Sequence, residues 1–146
     1  TGSRMYWSMV DPGHADGAWI GYQDYNQAGM FYALITCDPD ETDGNLVRLR
    51  DILRGAMADG VGEDELTRAK NKVLARSVIQ SERPMGRLAA LGFHWTYRRE
   101  YKTVEQEIES YLKVTVEDIR RVLERWPLWP LTIVSVGPRS DVARPE

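Results

Sequence analysis

Two adjacent runs of aromatic and branched residues constrain this chain more than any other feature: Ala18-Trp19-Ile20-Gly21-Tyr22-Gln23-Asp24-Tyr25 and Met30-Phe31-Tyr32-Ala33-Leu34-Ile35-Thr36-Cys37. Side chains of this kind suit a pleated, half-buried surface, which predicts two strands. The four residues between them, Asn26-Gln27-Ala28-Gly29, end in glycine and predict a hairpin loop, so the strands are expected to be antiparallel neighbours.

After Asp38-Pro39 the apolar period changes to that of a helix, with Leu46, Leu49, Leu53, Ala56 and Met57 on one stripe and Gly60 as the stop. A second helix is expected from about Glu63 to near Ser81, carrying Leu66, Ala69, Val73 and Ser77 on one side. Pro84 cannot continue that hydrogen-bond ladder but fits the first turn of a new helix bearing Met85, Leu88, Ala89 and Gly92. Thr103-Val104-Glu105-Gln106 and Thr115-Val116-Glu117-Asp118 read as capping signatures that open two shorter helices. The second carries Ile119, Val122, Leu123 and Trp126 and stops before Pro127.

Leu131-Thr132-Ile133-Val134-Ser135-Val136 is β-branched and closed by Gly137-Pro138, which predicts a third strand. The expected class is therefore α+β, an antiparallel hairpin plus a C-terminal strand in a small sheet, with helices packed on one face. Residues 1–146 are expected to form one segment, with a polar tail from Arg139 that frays. Three strands make a poor sheet alone, so further strands are expected from upstream sequence or another chain, and the open edges leave the isolated segment able to pair as a homodimer.

Composition narrows the partners. Of the 146 residues 42% are apolar and 28% charged, which places the chain among globular domains. The net charge of −3 comes from 22 acidic and 19 basic residues spread along the chain, without a basic block to follow a phosphate backbone, so nucleic acid is not expected. No apolar run approaches the roughly 20 residues that cross a bilayer, and Thr1-Gly2-Ser3-Arg4 is no signal-peptide core. The start without Met suggests a segment of a longer protein, and localisation is not legible. Cys37, the single cysteine, reads as a small buried hydrophobe rather than a nucleophile.

Three stretches carry a family resemblance. Gly2-Ser3-Arg4-Met5-Tyr6, with the hairpin ending in Gly29-Met30-Phe31-Tyr32 and Cys37-Asp38-Pro39, is the first. The most specific is Glu63-Asp64-Glu65-Leu66-Thr67-Arg68-Ala69-Lys70-Asn71-Lys72. The third is Val114-Thr115-Val116-Glu117-Asp118-Ile119-Arg120-Arg121-Val122, leading to Val136-Gly137-Pro138. In order and spacing they resemble the C-terminal, non-catalytic half of insulinase/pitrilysin-type zinc metallopeptidases, the inverzincins that include the mitochondrial processing peptidases. The resemblance implies a two-half chamber for peptide substrates, with zinc held by a catalytic partner half through His-x-x-Glu-His and a downstream Glu. No cofactor is expected in this chain itself.

A hydrolytic zinc site needs three protein ligands, an open position and a carboxylate base. His14 and His94 are the only histidines, and neither has a second His or a Glu at the inverzincin offset. His14 is expected in a loop and His94 against a packed face, so no catalytic and no metal-binding residue is assigned. Some relatives' non-catalytic halves place an Arg and a Tyr near the substrate, but the matching places here hold Val10 and Asp16.

The remaining candidate for substrate binding is Arg83, in the turn Ser81-Glu82-Arg83-Pro84. Arg98-Arg99-Glu100 reads as a solvated charge run, and Trp95, Tyr97 and Tyr101 as core or core rim. The expected function is to help enclose and bind peptide opposite a zinc-bearing half. The alternative is a catalytically inactive structural or assembly module of the same fold. A third possibility, an independent enzyme built on His14, Cys37 or His94, predicts turnover by the chain alone.

Overall fold

Gln27, at φ 62°, closes the hairpin in two residues and brings Tyr25 opposite Ala28. Strand β1 (Gly17–Tyr25) and strand β2 (Ala28–Thr36) therefore pair antiparallel along their full length, with Tyr22 opposite Phe31 and Gly17 opposite Thr36. Ala28 and Gly29, expected in the loop, belong to β2 instead. The outer end of the exposed Tyr22 ring lies over Gly29, in the space a side chain there would enter.

The computed structural model describes residues 2–143 and 145. The fold is a small α+β one, with helices α1 (Thr42–Asp59), α2 (Glu63–Ser81), α3 (Pro84–Arg98), α4 (Val104–Leu112) and α5 (Val116–Arg125) following the hairpin. A π-helical turn, Tyr6–Val10, precedes it, and a 3-10 turn, Pro39–Glu41, leads into α1. The chain divides into two units, Thr1–Asp59 with Leu123–Glu146, and Gly60–Val122. No helix among the described residues is long and apolar enough to cross a membrane.

The core of the first unit is Met5, Met9, Ala15, Leu49 and Leu53, which buries one side of α1 and the π-helical turn. Ala18, Ala33 and Ile35 lie on one face of the hairpin base and pack against it, as do Cys37, Leu128, Trp129 and Leu131. The rest of the hairpin stays open. Ile20, Tyr22 and Phe31 on the core side and Trp19, Met30 and Leu34 on the other are all exposed. Both outer edges lack a ladder partner among the described residues.

Residues 131–136, expected as a third strand, form no ladder: the sheet has two strands. Pro127 and Pro130 remove two amide donors just before the segment, and its first apolar residue, Leu131, packs on the core. Val134 and Val136 are left 82% and 96% exposed. The tail also departs from expectation. Arg139 Nη2 donates to Asp43 at 2.8 Å and its Nη1 to the Pro39 carbonyl at 3.2 Å, while the Ala143 amide donates to Asp43 at 3.0 Å. The Asp43 carboxylate, in the first turn of α1, thus anchors a polar segment that by composition alone reads as fraying.

In the second unit α2 packs against both α3 and α4 and buries Leu66. Its ends follow local chemistry. Gly60 at φ 72° turns the chain after α1, acidic Glu63, Asp64 and Glu65 occupy the first turn of α2, and Pro84 opens α3. Thr103 makes a reciprocal capping box with Gln106. Thr115 does the same with Asp118, whose amide donates to Thr115 Oγ1 at 3.1 Å while its carboxylate accepts from the Thr115 amide at 2.8 Å.

Candidate functional site

Most sequence candidates gather on α3 and the loop after it. This helix begins at Arg83, whose backbone is extended at φ −92° and ψ 125° because the residue before a proline avoids the helical region. The Arg83 side chain is exposed and makes no ion pair or hydrogen bond among the described residues.

The C-terminal half of α3, the loop and α4 enclose a cleft of about 300 Å³. Phe93, His94 and Arg98 come from α3, Lys102 from the loop, and Glu107, Ser110 and Tyr111 from α4. The Arg87 guanidinium fixes the loop. Its Nη2 donates to the Lys102 carbonyl at 2.8 Å and its charge sits 5.9 Å from the centre of the Tyr101 ring. From the other side, Lys70 Nζ donates to the Leu112 carbonyl at 2.9 Å, a cation placed on the C-terminal end of α4.

Inside the cleft the Tyr111 hydroxyl donates to Glu107 at 3.2 Å. Burial, followed by the Glu107 negative charge and this bond, pushes the Tyr111 hydroxyl above the ordinary tyrosine range. Arg98 and Lys102 share the Glu100 carboxylate at 3.9 and 3.5 Å. The run Arg98-Arg99-Glu100, expected to be a solvated face, therefore splits: two residues join this pairing, and Arg99 turns outward in the left-handed region at φ 55°.

His94 forms part of the wall, and its Nδ1 is buried without a hydrogen-bond partner. Trp95, Tyr97 and Tyr101, expected at the core or its rim, are all exposed. The cleft is thus an aromatic-walled groove whose charged and hydroxyl groups pair with one another.

His14 lies in the first unit, in the loop between the π-helical turn and β1. Its Nδ1 is 3.1 Å from Glu41 Oε2, which requires the proton on that nitrogen, and Arg48 Nη1 approaches the same oxygen at 3.5 Å. Its carbonyl accepts from Asn45 Nδ2 at 2.6 Å. Asn45 is 1% exposed and is the residue sequence pattern missed, since a polar position on an α1 stripe carries no periodic signal.

Val10 ends the π-helical turn and Asp16 lies exposed just before β1, where its amide donates to the Thr36 carbonyl at 2.8 Å. Cys37 is half-buried, with Sγ 4.0 Å from Thr42 Oγ1. Among the described residues no group of three or more His, Cys, Asp or Glu gathers to hold a metal ion.

No protein-family model matches the chain, and no curated protein matches it.

Proposed function

We propose that the chain is part of the non-catalytic half of a two-half zinc metallopeptidase of the insulinase/pitrilysin type, closing a chamber over an extended peptide. The observation that carries this reading is the succession of three stretches: Ser3-Arg4-Met5-Tyr6 with the hairpin, Glu63–Lys72, and Val114–Val122. They resemble that half in order and spacing. A half-domain also accounts for the hairpin. A strand pair apolar on both faces is the composition of the inside of a larger, covered sheet, and its partners would come from the rest of the half-domain.

On this reading zinc belongs to the partner half, where it supplies an activated water for peptide hydrolysis. The contribution of this chain is to enclose and orient the substrate. Arg83, free and exposed at the start of α3, is the proposed peptide contact. Co-expression with the His-x-x-Glu-His half encoded by the same source tests the reading: the two are expected to co-purify, and no association of the folded chain with that half contradicts it.

The second reading, an inactive assembly module, is favoured by one observation. The two positions that bind substrate in some relatives hold Val10 and Asp16, which supply neither a guanidinium nor a phenol. A stable complex that hydrolyses no peptide, even with added zinc, would select this alternative.

A further inference from the structure

Two cations border the cleft between α3 and α4 with donors to spare. Arg98 and Lys102 meet Glu100 at 3.9 and 3.5 Å, both longer than a good hydrogen bond, and Glu100 itself is not part of the cleft wall. A guanidinium has five N–H donors and an ammonium three, so one loosely held carboxylate leaves most of them to water. Arg98 lies near enough to Tyr111 for its charge to act on that hydroxyl. The one carboxylate in the wall, Glu107, already accepts from Tyr111 at 3.2 Å. Two cations thus stand against one carboxylate.

The rest of the wall is mainly apolar, built from Ala90, Phe93 and the Tyr111 ring. Phe93 is backed by Tyr97, their ring centres 4.5 Å apart. Beside it is the His94 imidazole, whose buried Nδ1 has no hydrogen-bond partner among the described residues. An unpaired polar atom is costly wherever it is buried, and an oxygen brought in beside the imidazole offers it a partner.

We infer that this cleft binds an aromatic monocarboxylate, its acid group between Arg98 and Lys102 and its ring against Phe93 and Tyr111. The volume of about 300 Å³ lies at the lower end for small-molecule sites, which suits one ring and a short acid arm. A second negative charge, as on a phosphate, would be opposed by Glu107 in the wall and by Glu100 beside both cations. A cationic ligand would meet Arg98 and Lys102. The required chemistry occurs both in a free aromatic acid and at the end of a peptide whose last residue is phenylalanine.

The test titrates the full 146-residue chain, isotope-labelled, with hydrocinnamate and follows its amide and imidazole signals by NMR. Saturable shifts are expected at Phe93, His94, Lys102 and Tyr111 but not at His14, with a Kd at or below about 1 mM. Hydrocinnamamide, of the same shape without the charge, should bind about tenfold more weakly. Lys102→Met is expected to weaken the acid by about tenfold and the more exposed Arg98→Met by about threefold. Glu107→Gln removes the opposing carboxylate and should tighten binding by about threefold, a gain that lost folding cannot mimic. A tripeptide ending in phenylalanine that binds more tightly than hydrocinnamate assigns the site to peptide ends, and one that binds more weakly assigns it to free acids. No saturable shift up to about 10 mM overturns the inference, and so does equal binding of acid and amide or an affinity indifferent to Lys102→Met and Glu107→Gln. Binding is measured on this chain without any partner half, so the result is independent of the peptidase reading.

Discussion

The Asn45 side-chain amide donates to the His14 carbonyl across 2.6 Å and ties the loop before β1 to α1 from a position that water does not reach. Around it, Arg48 Nη1 donates to Asn45 Oδ1 at 3.4 Å, and the Glu41 carboxylate accepts from His14 and forms an ion pair with Arg48. One buried amide therefore organises a polar network beside the Met5–Met9–Leu49–Leu53 core.

Removing it leaves the part-buried His14 carbonyl without this donor. Asn45→Ala is expected to lower stability by about 1–3 kcal/mol, the cost of a buried group left unpaired. Urea denaturation checks the value. Glu41→Gln keeps the shape of the outer, more exposed part of the network and should change stability by less than about 1 kcal/mol.

Two glycines of one helix should respond in opposite ways. A Cβ on Gly86 would run into the backbone carbonyl of Gln80, where α2 and α3 meet, and backbone cannot move aside as a side chain can. Gly86→Ala is expected to cost about 1–3 kcal/mol by overpacking. Gly92 has open space around it, so Gly92→Ala should be neutral or stabilising by up to about 1 kcal/mol, the helix-propensity gain. Thermal melts at concentrations low enough to keep the chain monomeric compare the two.

The same comparison shows what was legible in the sequence. Helix ends came through because their signals are local: Gly60 at a left-handed turn, Pro84 in a first turn, and Thr103 and Thr115 as caps all act within one or two residues of themselves. Gly29 resembles a loop end in sequence, whereas it pairs with Asp24 inside the ladder and lies under the Tyr22 ring. The segment 131–136 failed for a related reason. β-branched side chains make a stretch suited to a ladder, but only a neighbouring edge makes it a strand. Asn45 and the Asp43–Arg139 tie join residues far apart in sequence, so no window of pattern could contain them. Of the candidate site, His94 was singled out but not the groove it borders, because the Glu107–Tyr111 side depends on how α4 packs.

The groove gives a pH prediction. Since Tyr111 is raised by burial and by Glu107, its neutral form is the one that the fold favours. The associated stability is complete below the ordinary tyrosine range near pH 10 and is lost as pH rises through the raised value. Ultraviolet difference titration should find one tyrosine ionising after the others. Glu107→Gln is expected to move it back toward them, and an unchanged late component would locate the perturbation elsewhere.

Caps make a smaller but cleaner test. Thr103→Ala and Thr115→Ala each remove the oxygen that accepts from the third residue of their helix, and each is expected to cost about 1 kcal/mol. Thr115→Ala carries a second signature. The Thr115 hydroxyl, then its backbone amide and Arg121, hold the Asp118 carboxyl below its usual range, so this contribution is present above that range and is lost as pH falls through the lowered value. In carboxyl-carbon NMR the Asp118 midpoint should rise in the variant.

The central proposal is a division of labour, with bond cleavage in a zinc-bearing half and enclosure in this chain. Its most direct measurement is hydrolysis of a fluorogenic peptide library by this chain alone, by the His-x-x-Glu-His half alone, and by the two mixed, with zinc present throughout. The predicted result is cleavage by the mixture, little or none by either component, and a raised KM with Arg83→Ala in the mixture. Stoichiometric zinc binding and peptide cleavage by this chain alone, lost on His14→Ala or His94→Ala, would contradict it.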